Sequence, residues 1–133
     1  NGHPLWFNLS HSGDDIAMLI SDEGEVGCDI EVIRPRENWQ ALANAVFSLT
    51  EHDELEREAP EEQLSAFWRI WTRKEAIVKQ RGGSAWQIVS IDSTAQSLPV
   101  SQLRFGSLSL AVCTPTPFTL TAESVTYSGI SAA

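Results

Sequence analysis

Apolar residues fall along this chain first in short runs, then in one long helical stripe, then in short runs again. Leu5 to Leu9, Asp15 to Ile20 and Glu25 to Glu31 are separated by Ser10-His11-Ser12-Gly13 and by Asp22-Glu23-Gly24, a pattern that predicts three strands in an antiparallel meander. Pro35 closes the third strand. Asn38 to Phe47 and Glu51 to Glu58 carry helical patterns, the second opened by Thr50 with Asp53 three residues later. Pro60 is a favoured first helical residue, and Glu61 and Glu62 follow it in the first turn. They start the longest helix, which runs to Gln80 before Gly82-Gly83 stops it. Beyond it, Ile88 to Asp92, Leu108 to Thr114 and Phe118 to Tyr127 read as strands, with Pro99, Pro115 and Pro117 between them. With no βαβ alternation and no glycine-rich nucleotide fingerprint, the expected class is α+β, an antiparallel sheet packed against a long helix. Residues 1–128 read as a single domain, 129–133 as a frayed tail and 1–3 as a tag remnant.

Three carboxylates stand out in this pattern. Strand alternation over Val26-Gly27-Cys28-Asp29-Ile30-Glu31 puts Asp29 and Glu31 on the same face as Gly27. On the long helix, Leu64, Trp68, Trp71, Glu75 and Val78 are spaced four, three, four and three, so Glu75 interrupts an otherwise apolar stripe. A carboxylate facing a core is costly unless something cationic faces it. If the stripe packs across the sheet, Glu75 approaches Asp29 and Glu31, and three hard oxygen ligands suit magnesium better than zinc. The residues alone leave a second reading open, in which Asp29 and Glu31 form a solvated sheet face and Glu75 pairs with Lys79 one turn on. Lys74 and Lys79 flank Glu75 and could neutralise charge on a phosphate, or be solvated helix lysines. Ser10 and His11 lie in a polar turn that could hold a phosphate, or form a plain hairpin. Trp39, Trp68, Trp71 and Trp86 are expected in or at the edge of the core.

Charge and cysteine content narrow the setting. Nine Lys+Arg against 18 Asp+Glu give a net charge of −9, which disfavours nucleic acid and acidic membranes as partners. Cys28 and Cys113 stand far apart in apolar runs with no metal-type spacing, which fits a reducing, cytoplasmic setting. No apolar run approaches the roughly 18 residues of a membrane span.

Gly27-Cys28-Asp29-Ile30-Glu31 followed by Trp71-Thr72-Arg73-Lys74-Glu75-Ala76-Ile77-Val78-Lys79 resembles the two signatures of 4'-phosphopantetheinyl transferases. Phe7-Asn8-Leu9-Ser10-His11-Ser12-Gly13 and Leu108-Ser109-Leu110-Ala111-Val112-Cys113 look like further segments of the larger, surfactin-synthetase-type enzymes, and the likeness is nearest to the enterobacterial holo-acyl-carrier-protein synthases of that type. The resemblance implies a 4'-phosphopantetheinyl transferase-like half, the carboxyl-terminal one of a two-half enzyme. It implies Mg2+ on Asp29, Glu31 and Glu75, with Glu75 taking the proton from the acceptor serine and Lys79 acting with it in catalysis. Coenzyme A as co-substrate would be held by Ser10, His11, Lys74 and Lys79, and the protein partner would be apo acyl carrier protein. That acidic partner would meet the cations clustered at Arg69, Arg73, Lys74, Lys79 and Arg81. Two alternatives accompany this reading: an isolated half that binds Mg2+ and coenzyme A weakly without catalysis, and a homodimer that rebuilds the cleft.

Overall fold

The computed structural model describes residues 5–12, 15–21, 24–95, 99–116 and 121. Apart from Thr121, the expected strand from Phe118 to Tyr127 lies outside them, as do the tail and the first three residues.

Strands β1 (Trp6–Ser12) and β2 (Asp15–Ser21) pair antiparallel, Phe7 opposite Ile20, Leu9 opposite Met18 and His11 opposite Ile16. The third strand, β3 (Gly27–Val32), does not continue this ladder, so the expected meander stops at two strands. It forms instead one edge of a separate sheet ordered β3-β5-β4, with β4 over Val100–Phe105 and β5 over Leu108–Cys113. The reason lies in the inward side chains of β1. Asn8 Oδ1 accepts from the Cys28 amide at 3.0 Å, Ser10 Oγ from Ile30 at 3.0 Å and Ser12 Oγ from Val32 at 3.2 Å. Three short polar side chains at period two thus satisfy the edge of β3 that a backbone ladder would otherwise cover. The opposite face of the ribbon carries Phe7, Leu9, Ile16, Met18 and Ile20, each more than half exposed.

Between the sheets' strands come α1 (Trp39–Val46), α2 (Leu49–Glu56) and α3 (Gln63–Gln80). The cap of α2 is not Thr50 with Asp53: Ser48 and Glu51 form a complete capping box. The long helix matches its expected span, except that Pro60–Glu62 is a 3-10 turn leading into it. Ile88 to Asp92 is not a strand. Ser84 and Gln87 cap a 3-10 helix over Ala85–Ser90, and that local bonding overrides the β-branched composition of Ile88-Val89.

The core sits where α3 crosses the three-stranded sheet. Phe67 is its centre, with ring centroids of Trp39, Phe47, Trp68 and Trp71 at 5.7, 5.6, 5.2 and 5.8 Å. Full burial of such side chains contributes about 1.5–3 kcal/mol each. Trp68 also donates its indole N–H to the Arg34 carbonyl at 2.9 Å. Trp86, expected at the core edge, is 75% exposed. On β3, Gly27 lets α3 lie directly on the strand, since a Cβ there would overlap the Ala76 carbonyl oxygen and the Gln80 amide. That close approach brings the last turn of α3 over Asp29.

Candidate active site

Asp29 is the fixed point of the site. Its carboxylate is only 4% exposed, and its Oδ1 accepts from Ser10 Oγ at 2.9 Å and from Lys79 Nζ at 3.2 Å. Its Oδ2 is buried with no hydrogen-bond partner among the described residues. Lys79 also reaches the Leu9 carbonyl at 3.4 Å, so the ammonium spans from β1 to β3. Two residues along the strand, Glu31 Oε1 accepts from Ser12 Oγ at 3.3 Å. Glu75 comes from α3, half-buried and within electrostatic reach of both Asp29 and Lys79.

Burial pushes all three carboxyls above the usual carboxylate range, and the charge of Asp29 pushes the two glutamates further. Burial is the main cause for Asp29, with Lys79 and Ser10 offsetting part of it. Glu31 rises to about 7, from burial first, then from the charge of Asp29 and, to a smaller degree, that of Glu75. Glu75 rises through burial and then Asp29, with Lys79 opposing. A carboxylate group raised in this way and short of one hydrogen bond is chemically suited to a hard cation. Among the described residues, no three His, Cys, Asp or Glu side chains already gather closely enough to enclose an ion. That is compatible with Mg2+, which is commonly held by one or two carboxylates plus waters and substrate phosphates rather than by a closed protein cage.

Of the two readings the residues left open, the ion pair within the helix does not form: Lys79 bonds Asp29 across the strand, and no ion pair joins it to Glu75 among the described residues. Asp29 is not on a solvated face. Other expected site residues fall elsewhere. Lys74 is 0% exposed, its Nζ bonded to Glu51 Oε1 at 2.7 Å and to the Ile91 carbonyl, so it is a core cation with no route to a bound coenzyme. The structure corrects that assignment: consecutive helical residues point about 100° apart, and Lys74 faces α2 while Glu75 faces the strand. Ser10 lies 5% exposed, its hydroxyl committed to Asp29 and the Ile30 amide, whereas His11 on the next position is exposed. The expected basic cluster is largely neutralised. Arg73 lies 2.8 Å from Glu54, and Arg69 lies 3.2 Å from Glu54 and 3.7 Å from Glu58.

Sequence reasoning missed Asn8 and Ser12 as struts, although polar residues at 8, 10 and 12 alternate with Phe7 and Leu9. It also missed Glu51, whose signal was the Ser48-to-Glu51 spacing of a capping box.

Residues 25–126, which contain Asp29, Glu31, Glu75 and Lys79, match the 4'-phosphopantetheinyl transferase superfamily. The chain is 78% identical over 126 residues to the 4'-phosphopantetheinyl transferase AcpT of Salmonella typhimurium, covering 94% of this chain and 66% of that protein. Against the AcpT of Escherichia coli K12 it is 75% identical over 125 residues, covering 93% and 64%. A 4'-phosphopantetheinyl transferase of Bacillus subtilis is 37% identical over 78 residues, covering 59% and 34%. The chain spans just under two thirds of the length of its AcpT relatives.

Proposed function

This chain belongs to the 4'-phosphopantetheinyl transferase superfamily, and from that premise we propose that it carries the carboxylate side of an enzyme moving 4'-phosphopantetheine from coenzyme A to a serine of apo acyl carrier protein. The observation that supports this most directly is Asp29: a buried carboxylate with one orphaned oxygen, beside two more carboxylates that burial and mutual repulsion have raised.

Asp29, with Glu31 and Glu75, would hold Mg2+, which when bound neutralises phosphate oxygens and makes the β-phosphorus a better electrophile. Glu75 would accept the proton of the acceptor serine hydroxyl, directly or through water. The serine oxygen bonds to the β-phosphorus, and the bond from that phosphorus to the bridging oxygen breaks. Its electron pair leaves with adenosine 3',5'-bisphosphate. Lys79, part-exposed at the site's edge, steadies the pyrophosphate. His11, exposed at the end of β1, is better placed than Ser10 to meet the coenzyme's 3'-phosphate. Two buried, unpaired thiols suit a reducing cytoplasm, and among the described residues no helix is long and apolar enough to cross a membrane.

The test is carrier mass. A full-length protein containing this sequence, given coenzyme A, Mg2+ and apo carrier protein, should add one phosphopantetheine per carrier, and an unchanged carrier mass rejects the reading. Because the chain spans less than two thirds of its AcpT relatives, a second reading is that these residues alone bind without turning over. Running this chain beside the longer protein in the same assay separates the two.

A further inference from the structure

We propose that Lys79 is a resident counter-ion, holding the cation's place beside Asp29 until a divalent ion arrives and then leaving that carboxylate. This rests on the metal reading above. Lys79 is one of only two lysines in the chain. Its Nζ lies 3.2 Å from Asp29 Oδ1, where Ser10 is the other donor, and Oδ2 of the same carboxylate has no hydrogen-bond partner among the described residues. Asp29 is 4% exposed at its side chain while Lys79 is 29% exposed, so the lysine stands at the solvent boundary with a way out and the aspartate has none.

The charge balance gives the reason for both positions. Asp29, Glu31 and Glu75 repel one another in a part-buried setting, and one ammonium offsets only part of that charge. The usual helical partner of Lys79 would be Glu75 one turn back, yet the ammonium crosses to Asp29, the most buried of these three carboxylates. A divalent ion neutralises more of the same charge. It also repels an ammonium a few ångströms away, so the two do not share Asp29. A freed Lys79 keeps its long stem and can swing to a phosphate bound at that ion, which gives a single residue one task before the ion binds and another after it.

The chain itself makes the measurement clean. With lysine isotopically labelled, two side-chain ammonium-end signals arise, one from Lys74 at 0% exposure and one from Lys79. Mg2+ alone is titrated at constant ionic strength by nuclear magnetic resonance and, in parallel, by calorimetry. The Lys79 signal is expected to move to the position of a solvated lysine with the calorimetric half-saturation, while the Lys74 signal stays. Acylation of Lys79 by an amine-reactive ester, read by peptide mass, should rise about two- to fivefold, the factor that releasing a part-exposed ion pair gives. Calorimetric binding with an unmoved Lys79 signal and an unchanged acylation rate overturns the proposal and leaves the metal reading intact. No heat of binding at all sinks the metal reading, and the proposal with it. Lys79→Gln, which removes the competitor at a part-exposed position, should bind Mg2+ about two- to fivefold more tightly, and equal or weaker binding counts against the exchange.

Discussion

The Glu51 and Lys74 pair yields the sharpest expectation about stability, because neither side chain has any exposure. The Glu51 carboxylate accepts four hydrogen bonds: from Lys74 at 2.7 Å, from the Ser48 amide at 2.8 Å, and from the Ser93 amide and hydroxyl at 2.8 and 2.5 Å. Glu51→Gln keeps the shape but removes the charge and turns one acceptor into a donor facing donors, leaving the Lys74 ammonium buried without its counter-ion. Breaking a buried pair from one side costs about 3–5 kcal/mol, a large share of the ~5–15 kcal/mol that holds an ordinary domain. Lys74→Met should cost less, about 1–3 kcal/mol, because three donors still hold the carboxylate. The double variant should lose less than the two single losses added together, since it leaves neither buried charge without its partner. Urea unfolding followed by tryptophan fluorescence reads all three, provided the denaturant slope stays constant. A Glu51→Gln loss below about 1 kcal/mol at unchanged slope, or strict additivity in the double variant, refutes the reasoning.

Four further outcomes follow from the site. Glu75→Gln in the full-length protein should cut carrier loading by about a hundred- to ten-thousand-fold while helical circular dichroism is kept; unchanged loading returns Glu75 to a structural role. Asp29→Asn should abolish calorimetric Mg2+ binding, since it removes a carboxylate whose buried Oδ2 has no hydrogen-bond partner among the described residues. Gly27→Ala should destabilise by more than ~2 kcal/mol, as expected of overpacking against backbone, because its Cβ would overlap Ala76 and Gln80; a melting temperature equal to that of the unaltered chain excludes the close approach. Glu31 binds a proton more readily folded, at about 7, than unfolded, at 4.5. Without metal, stability should therefore fall as pH rises from about 4.5 to about 7, and Glu31→Gln should reduce that slope, leaving the share of Asp29 and Glu75, which are raised as well. Glu54 and Asp92 are lowered, so their stabilisation is lost at still lower pH and lies outside this window.

What the sequence disclosed and what it withheld divide along one line. Elements whose pattern is set by their own residues were legible: α3 from Pro60, its apolar stripe and Gly82-Gly83, and β3 from its alternation. Elements decided by partners were not. The strand Val100–Phe105 carries Ser101, Gln102 and Arg104, and nothing local marks it; it exists because β5 supplies the ladder, and Gln102 is tied to the Arg69 carbonyl at 2.7 Å. Ile88 to Asp92 looked like a strand by composition and lost to the capping box of Ser84 and Gln87 just upstream.

The candidate site follows the same division. Alternation and the helical stripe put Asp29, Glu31 and Glu75 within electrostatic reach of one another, which needs only periods of 2 and 3.6. The destination of each lysine depended on which buried carboxylate lay within reach of its stem. Lys74 and Lys79 share a helix and lie five residues apart, yet Glu51 draws one into the core and Asp29 draws the other to the solvent boundary. A buried carboxylate needs a cation more than a surface one does, so its position, rather than helical spacing, selects the lysine. By that rule Lys74 serves the fold, and Lys79 is the lysine left at the solvent boundary.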